Sequence, residues 1–137
     1  MRWLIILLAL IGLVAAAAAL HEHYNTGTSP CSINDRWDCG VVNHSDYAVI
    51  KGVPVAVIGI AGYVLLGALA FRKAWQALTA AAIPGLAFSL YLAYIEAKVL
   101  ETWCIYCVIS LTMISSIAIA SVVALLVSGK KKQTAIP

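Results

Sequence analysis

The residues of this chain best suited to chemistry are its four cysteines, Cys31, Cys39, Cys104 and Cys107. The last two form a Cys-x-x-Cys pair within the stretch TWCIYCVIS, residues 102–110, where a polar link meets a long apolar run. If that run is a helix, both thiols lie close to its N-terminus and on one face. The unpaired N–H groups and the helix dipole favour a thiolate there, so the pair has the properties of a redox couple.

The composition indicates what kind of scaffold must hold the cysteines. With 63% hydrophobic and 11% charged residues, the 137-residue chain has more apolar material than a soluble core of this size buries. A helix needs roughly 20 apolar residues to cross a bilayer, and four runs approach that length: residues 3–20, 53–71, 75–95 and 105–128. The sequence therefore predicts an all-α integral membrane protein, a bundle of four transmembrane helices that forms a single domain over residues 1–137.

The distribution of charge predicts how the bundle is oriented. If the spans alternate in direction, the basic residues Arg2, Arg72, Lys73 and 130–132 fall on one side. The six acidic residues fall on the other side: Glu22, Asp35, Asp38, Asp46, Glu96 and Glu101. Because basic residues concentrate on the cytoplasmic side, we expect both termini in the cytoplasm of a cell inner (plasma) membrane and the cysteines on the periplasmic or exterior face. The basic tail is then a topology signal rather than a nucleic-acid site.

The first apolar run also allows a second interpretation. Residues 1–20 have the basic start, apolar stretch and small residues of a cleaved secretory signal. Cleavage would remove one helix, but it would leave the orientation of the other three spans and the position of the cysteines unchanged.

Four cysteines in an oxidising compartment suggest two disulfides, Cys31 with Cys39 and Cys104 with Cys107. Such short loops stabilise a fold little by chain entropy, which argues against inert staples. A zinc or iron site is the rival interpretation, since His21, His23 and His44 fall on the same side. Structural zinc sites usually present two Cys-x-x-Cys hooks, whereas seven residues separate Cys31 from Cys39. We therefore expect no metal and interpret the histidines as solvated side chains.

The outer segment, residues 21–52, changes character along its length. Its first part carries turn residues such as Asn25, Gly27 and Pro30. From Cys39 onwards apolar and polar residues mix, which predicts a short amphipathic helix on the membrane surface that caps the mouth of the bundle.

Three pieces of the sequence resemble the vitamin K epoxide reductase family, including its bacterial homologues that pass electrons to quinones. They are the loop pair CSINDRWDC, the segment CGVVNHSDYAVIKGVPVAVIG that runs into the second span, and the last-span motif WCIYC. Together with the four-helix layout they cover nearly the whole chain.

The resemblance implies a role for each of these residues. Cys107 would face the quinone ring, and Cys104 would exchange disulfides with the loop. Cys31 and Cys39 would be the shuttle pair, with Cys39 the one expected to attack Cys104. Ser45 matches the family's loop serine or threonine near the quinone. Some members have an asparagine at the next position that donates to the quinone carbonyl; here the residue is Asp46, and an ionised aspartate can only accept.

The expected function is that of an oxidoreductase that passes electrons from thiols to ubiquinone or menaquinone in support of disulfide bond formation. The resemblance also implies a thioredoxin-fold redox partner on the outer face. Many bacterial members carry that domain fused to the chain; this sequence ends at Pro137, so a separate partner protein is expected. A vitamin K epoxide or quinone reductase proper is the alternative within the family. A non-catalytic membrane adaptor and a metal-binding membrane module are more distant alternatives.

Overall fold

The computed structural model describes residues 1–24, 36–38 and 44–135, and its main elements are four α-helices. They are α1 (Arg2–Tyr24), α2 (Val55–Phe71), α3 (Trp75–Tyr94) and α4 (Ile105–Ala135). Each helix follows one of the four predicted apolar runs, with ends that differ by a few residues. The all-α architecture predicted from the sequence is therefore confirmed over the described residues.

The helices differ in their capacity to cross a membrane. Three stretches are long and apolar enough by length and composition: Arg2–Tyr24, Trp75–Leu100 and Ile105–Gly129. The remaining helix, α2, is equally apolar but has 17 residues, slightly fewer than the roughly 20 that a span requires.

Helix α1 packs against α2 and α4, α3 packs against α4, and α2 and α3 also touch, so each helix contacts at least two others. Small residues on α1 allow a close approach of α2, as at Ala16, whose Cβ lies 3.5 Å from the position that a Cβ on Gly59 would take. Close packing of small residues is typical of helices that associate in lipid. The buried core that results includes the fully buried side chains of Ile5, Leu78 and Ile117.

One end of the bundle carries the N-terminus and the α2–α3 turn. The Arg2 guanidinium donates a hydrogen bond to the Phe71 carbonyl oxygen at 3.2 Å and stands over the Phe71 ring. Arg72 and Lys73 follow in the turn, where Lys73 has a φ of 57°. Arg2, Arg72 and Lys73, three of the basic residues expected on one side of the membrane, therefore lie at the same end of the bundle.

A small β-hairpin leads into α2 at the other end. A 3₁₀ turn over Asp46–Ala48 precedes two short antiparallel strands, β1 (Val49–Ile50) and β2 (Val53–Pro54), with Val49 opposite Pro54. The two residues between the strands have positive φ angles, 51° at Lys51 and 83° at Gly52, as a type I′ turn requires.

The surface helix predicted from Cys39 onwards is not what the described residues form. Residues 44–50 make the 3₁₀ turn and the first strand instead. The β-branched Val49, Ile50 and Val53 favour strand geometry, and Gly52 accepts the left-handed turn without steric cost. Residues 39–43 of that prediction lie outside the described residues.

Candidate active site

The Cys-x-x-Cys pair lies at the N-terminus of α4. Cys104 directly precedes the helix, and its carbonyl oxygen accepts a hydrogen bond from the Val108 N–H at 3.0 Å, so it occupies the capping position. Cys107 lies in the first turn. Cys104 has no exposed surface, whereas Cys107 is partly exposed. The location at a helix N-terminus agrees with the sequence analysis.

A buried carboxyl group, Glu96, meets both cysteines. Only 4% of Glu96 is exposed, and its Oε2 accepts a hydrogen bond from the Cys104 backbone N–H at 3.3 Å. The Cys107 thiol is in hydrogen-bonding contact with this carboxyl group and with the Cys104 side chain. The three residues form one cluster at the start of α4.

The sequence analysis treated Glu96 only as an outer-side charge and missed this position. The available signal was an acidic residue within a long apolar stretch, eight positions before Cys104. Ionisable side chains in such stretches are rare and usually functional.

The backbone after α3 holds Glu96 in place. Residues Ile95–Leu100 continue α3 as a π-helix, a widened turn that is often found at functional sites. Its end is closed by two hydrogen bonds: the Thr102 N–H donates to the Glu96 carbonyl oxygen at 3.1 Å, and the Thr102 hydroxyl donates to the Leu100 carbonyl oxygen at 3.1 Å. The chain reverses at Glu101, which has a left-handed φ of 52°. Glu96 thus contacts the link to Cys104 through both its backbone and its side chain.

A cavity of about 240 Å³ opens beside this cluster, between the helices. Its walls are mainly apolar side chains with a few polar groups, the composition that binding sites for small apolar molecules usually show. Cys107, Glu96 and Ser45 line it, while the buried Cys104 lies outside the lining. Asp46 is exposed and also lies outside the lining.

Further along the cavity wall, two polar side chains bond to each other. The Tyr63 hydroxyl donates to the Ser110 carbonyl oxygen at 2.7 Å and lies 2.7 Å from the Ser110 hydroxyl. The sequence analysis had not singled out Tyr63. Its signal was a tyrosine in the middle of an apolar run, a position where the hydroxyl must find a partner.

The described part of the outer loop, residues 36–38, lies against the residue that precedes Cys104. Trp37 and Trp103 form a parallel β-bridge, in which the Trp103 N–H donates to the Arg36 carbonyl oxygen at 2.6 Å and the Asp38 N–H donates to the Trp103 carbonyl oxygen at 3.0 Å. Asp38 is the residue before Cys39 in the sequence. Cys31 and Cys39 themselves lie outside the described residues.

Two histidines lie close to the cavity, and they raise the question of a metal site. His23 also lines the cavity, and its ring stacks on that of His44 with 6.3 Å between centroids. Within residues 1–24, 36–38 and 44–135, no three His, Cys, Asp or Glu side chains are grouped as a metal site would require. That finding does not extend to Cys31 and Cys39, so the absence of a metal stays a prediction.

Comparison with known protein families decides the assignment that these features suggest. The family model of the vitamin K epoxide reductase family matches residues 3–124. The chain belongs to the vitamin K epoxide reductase family. The match includes the loop cysteines, the hairpin and the Cys-x-x-Cys pair, so it confirms the resemblance seen in the sequence. As a family member with three membrane-capable helices, the protein is a membrane oxidoreductase.

Proposed function

We propose that the protein is a thiol:quinone oxidoreductase that supports disulfide bond formation. It receives electrons from the reduced thiols of an extracytoplasmic thioredoxin-fold partner and passes them through Cys31 and Cys39 to Cys104 and Cys107. From there the electrons reach a membrane quinone, either ubiquinone or menaquinone, which is the second substrate.

The observation that carries this proposal is the unequal placement of the two thiols of the Cys-x-x-Cys pair. Cys107 lines an apolar cavity of about 240 Å³, while Cys104 is fully buried behind it. A quinone ring dissolved in the bilayer can occupy an apolar cavity between helices, so Cys107 is the thiol available to it. Ser45 in the same lining supplies a hydroxyl group that can donate to a quinone oxygen. Asp46 lies outside the lining, so its proposed contact with the quinone requires residues 44–46 to shift toward the cavity.

The contact between residues 36–38 and Trp103 supports transfer of electrons from the loop cysteines to the Cys-x-x-Cys pair. The hydrogen bond from Asp38 to Trp103 joins the residue before Cys39 to the residue before Cys104. Since consecutive Cα atoms are about 3.8 Å apart, this bond anchors the segment that carries Cys39 beside Cys104. Cys39 is therefore the loop cysteine we expect to exchange with Cys104.

The packing also supports four spans with cytoplasmic termini. Arg2 at the start of α1 bonds to Phe71 at the end of α2, and His23 and Val55, at their other ends, line the same cavity. Helix α2 thus runs beside α1 between the same two ends of the bundle, which favours a fourth span although α2 is only 17 residues long. With the basic end inside, the cysteine pair faces the periplasm or exterior.

The proposed cycle has two thiol–disulfide exchanges and one oxidation of the Cys-x-x-Cys pair by the quinone. The partner's thiols reduce the Cys31–Cys39 disulfide, and the loop thiols then reduce the Cys104–Cys107 disulfide, each through a mixed disulfide. The Cys107 thiolate then attacks the quinone, or pairs with it by charge transfer, and Cys104 attacks Cys107 to close the disulfide. The direction depends on the quinone having the higher potential, and every ~30 mV contributes about 1.4 kcal/mol.

The proposal is tested by anaerobic reduction of ubiquinone and menaquinone with purified, prereduced protein. We expect the wild-type protein to reduce at least one quinone and Cys107→Ala to reduce neither. Thr112→Ala, an exposed position on the same helix, is the control and should keep the wild-type rate. Failure of the wild-type protein to reduce either quinone, with its thiols intact, would contradict the proposal. A higher rate with a vitamin K epoxide than with the quinones would favour the alternative substrate.

A further inference from the structure

A buried carboxyl group whose partners are one cysteine N–H and one thiol needs an explanation, because burial of an isolated charge is costly. Glu96 is 4% exposed. In the part of the chain that the structure describes, its partners are the Cys104 N–H and the Cys107 thiol rather than a lysine or arginine. A structural role alone would be served equally well by a neutral glutamine, which also accepts from an N–H. The difference between the two side chains is that a carboxylate can take up a proton.

We propose that Glu96 is the proton-transfer residue of the thiol pair: it accepts the thiol protons of Cys107 and Cys104 and delivers them to the quinone oxygens. This inference rests on the proposed function. It deepens that function by naming the group that moves the protons, while the cysteines move the electrons.

The protons and electrons balance as follows. Glu96 takes the Cys107 proton, so the S–H bond breaks and the electron pair stays on sulfur, which attacks the quinone. Glu96 passes this proton to one quinone oxygen. Cys104 then forms the S–S bond with Cys107, the pair of electrons from the sulfur–quinone bond stays on the ring, and the Cys104 proton reaches the second oxygen through the carboxylate freed in the first step. Two thiols have become a disulfide, and one quinone has become a quinol.

The charges in the cluster fit a shared proton. A Glu96 carboxylate and a Cys107 thiolate in contact within a buried site would repel each other. Loss of one proton therefore opposes loss of the second, and the proton that remains can lie on either the oxygen or the sulfur. The position of Glu96 at the N-terminus of α4 stabilises the single charge left by loss of the first proton, wherever it lies.

Other titratable groups near Glu96 must be separated from its effect. Among the described residues, the other titratable groups that line the same cavity are His23 on α1, Tyr47 in the 3₁₀ turn, Tyr63 on α2, and Tyr106 with Cys107 on α4. Of these side chains only His23 can gain a positive charge, so the comparison of Glu96→Gln with Glu101→Gln is repeated in a His23→Gln background.

The test compares Glu96→Gln with Glu101→Gln, the same substitution at an exposed position five residues away. Glutamine keeps an oxygen acceptor for the Cys104 N–H but cannot take up a proton. We expect prereduced Glu96→Gln to reduce quinone roughly 100-fold more slowly than wild type at pH 7, the usual scale for loss of a general acid or base. Glu101→Gln should stay close to the wild-type rate, and the ratio of the Glu96→Gln rate to the Glu101→Gln rate should be unchanged in a His23→Gln background.

A second readout separates proton transfer from structural damage. Alkylation of Cys107 by iodoacetamide, followed by peptide mass analysis between pH 5 and 9, reports the thiolate. As the pH is raised, the alkylation rate of the wild-type protein should level off once Glu96 and Cys107 together hold one negative charge. In Glu96→Gln the rate should keep rising with pH and exceed the wild-type rate at pH 9. Slower quinone reduction together with faster alkylation is the expected signature, since a damaged site would not show opposite changes. Glu96→Asp, which keeps a carboxyl group, should restore the plateau.

Each outcome decides a different point. If wild type reduces quinone and Glu96→Gln matches Glu101→Gln in both readouts, the inference about Glu96 is wrong and the proposed function stands. If wild type reduces no quinone, the proposed function fails, and the alkylation profiles alone decide whether Glu96 and Cys107 share a proton.

Discussion

Tyr63 on α2 contacts two other helices. Its ring lies against Gly12 on α1, at the place where any Cβ on residue 12 would overlap the ring. Its hydroxyl group is bonded to Ser110 on α4. One side chain on α2 therefore joins three helices, and it also lines the cavity.

This contact predicts the effect of Gly12→Ala. The added methyl group must displace the Tyr63 ring and weaken its bond to Ser110, so we expect the free energy of unfolding to fall by about 1–3 kcal/mol, as in other overpacked cores. Gly67→Ala is the matched control, because its Cβ would lie 3.8 Å from the Ala9 Cβ, an ordinary contact. It should keep or raise stability, since alanine favours helix by about 0.5–1 kcal/mol over glycine. Unfolding in a detergent titration, followed by circular dichroism, measures both; equal stability of the two variants would contradict the packing.

At the scale of elements, two backbone features hold the link between α3 and α4. The π-helical turn places Glu96 under the start of α4, and the bridge between Trp37 and Trp103 fixes the outer loop beside the same point. The π-helical turn bonds to Thr102 and Cys104 through Glu96, and the bridge bonds to Trp103 between them. Movement of either element would change the surroundings of Cys104.

The bridge predicts that Asp38→Pro slows exchange between the loop and the pair. Proline has no N–H to donate to the Trp103 carbonyl oxygen, whereas Asp38→Ala loses the side chain and keeps that donor. In a Cys31→Ala, Cys107→Ala background, only Cys39 and Cys104 remain as cysteines. We expect oxidation to form their disulfide about tenfold more slowly with Asp38→Pro, because the residue before Cys39 is then no longer held against Trp103 and the effective concentration of the two thiols falls. Quantification of that disulfide by mass spectrometry decides the point, and equal rates for the proline and alanine variants would contradict the anchoring role.

Sequence patterns predicted the helices well but not the turns between them. The apolar runs predicted the positions of α1 to α4, because both the hydrocarbon-facing and the core-facing residues of these helices are apolar. The Cys-x-x-Cys pair was correctly assigned to the start of α4. The hairpin was missed: a surface helix was predicted from Cys39 onwards, and Lys51 and Gly52 were not identified as a turn. Glu96 was missed because its contact with Cys104 depends on a π-helical turn, which no residue pattern indicated. The cavity also depends on packing: it forms between helices that small residues bring together.

At the scale of the whole molecule, the surface and the interior are arranged for a bilayer. Large apolar side chains are exposed along the helices, among them Val14 at 69%, Ile119 at 67% and Leu126 at 63%. In water such a surface would promote aggregation, whereas in a membrane it faces hydrocarbon. The cavity beside Cys107 lies between these helices and contains few polar groups. An apolar substrate can therefore be held in the bundle while a partner exchanges thiols at the outer end.

The measurement that tests this account most directly is a single turnover of the Cys31→Ala, Cys39→Ala protein, which retains only the Cys-x-x-Cys pair. The prereduced protein is mixed anaerobically with one equivalent of quinone, using ubiquinone and menaquinone separately, and both thiols and quinol are counted. The account predicts one quinol for every two thiols lost, with a Cys104–Cys107 disulfide found by peptide mass. Unchanged quinone beside two intact thiols, with either quinone, would contradict it.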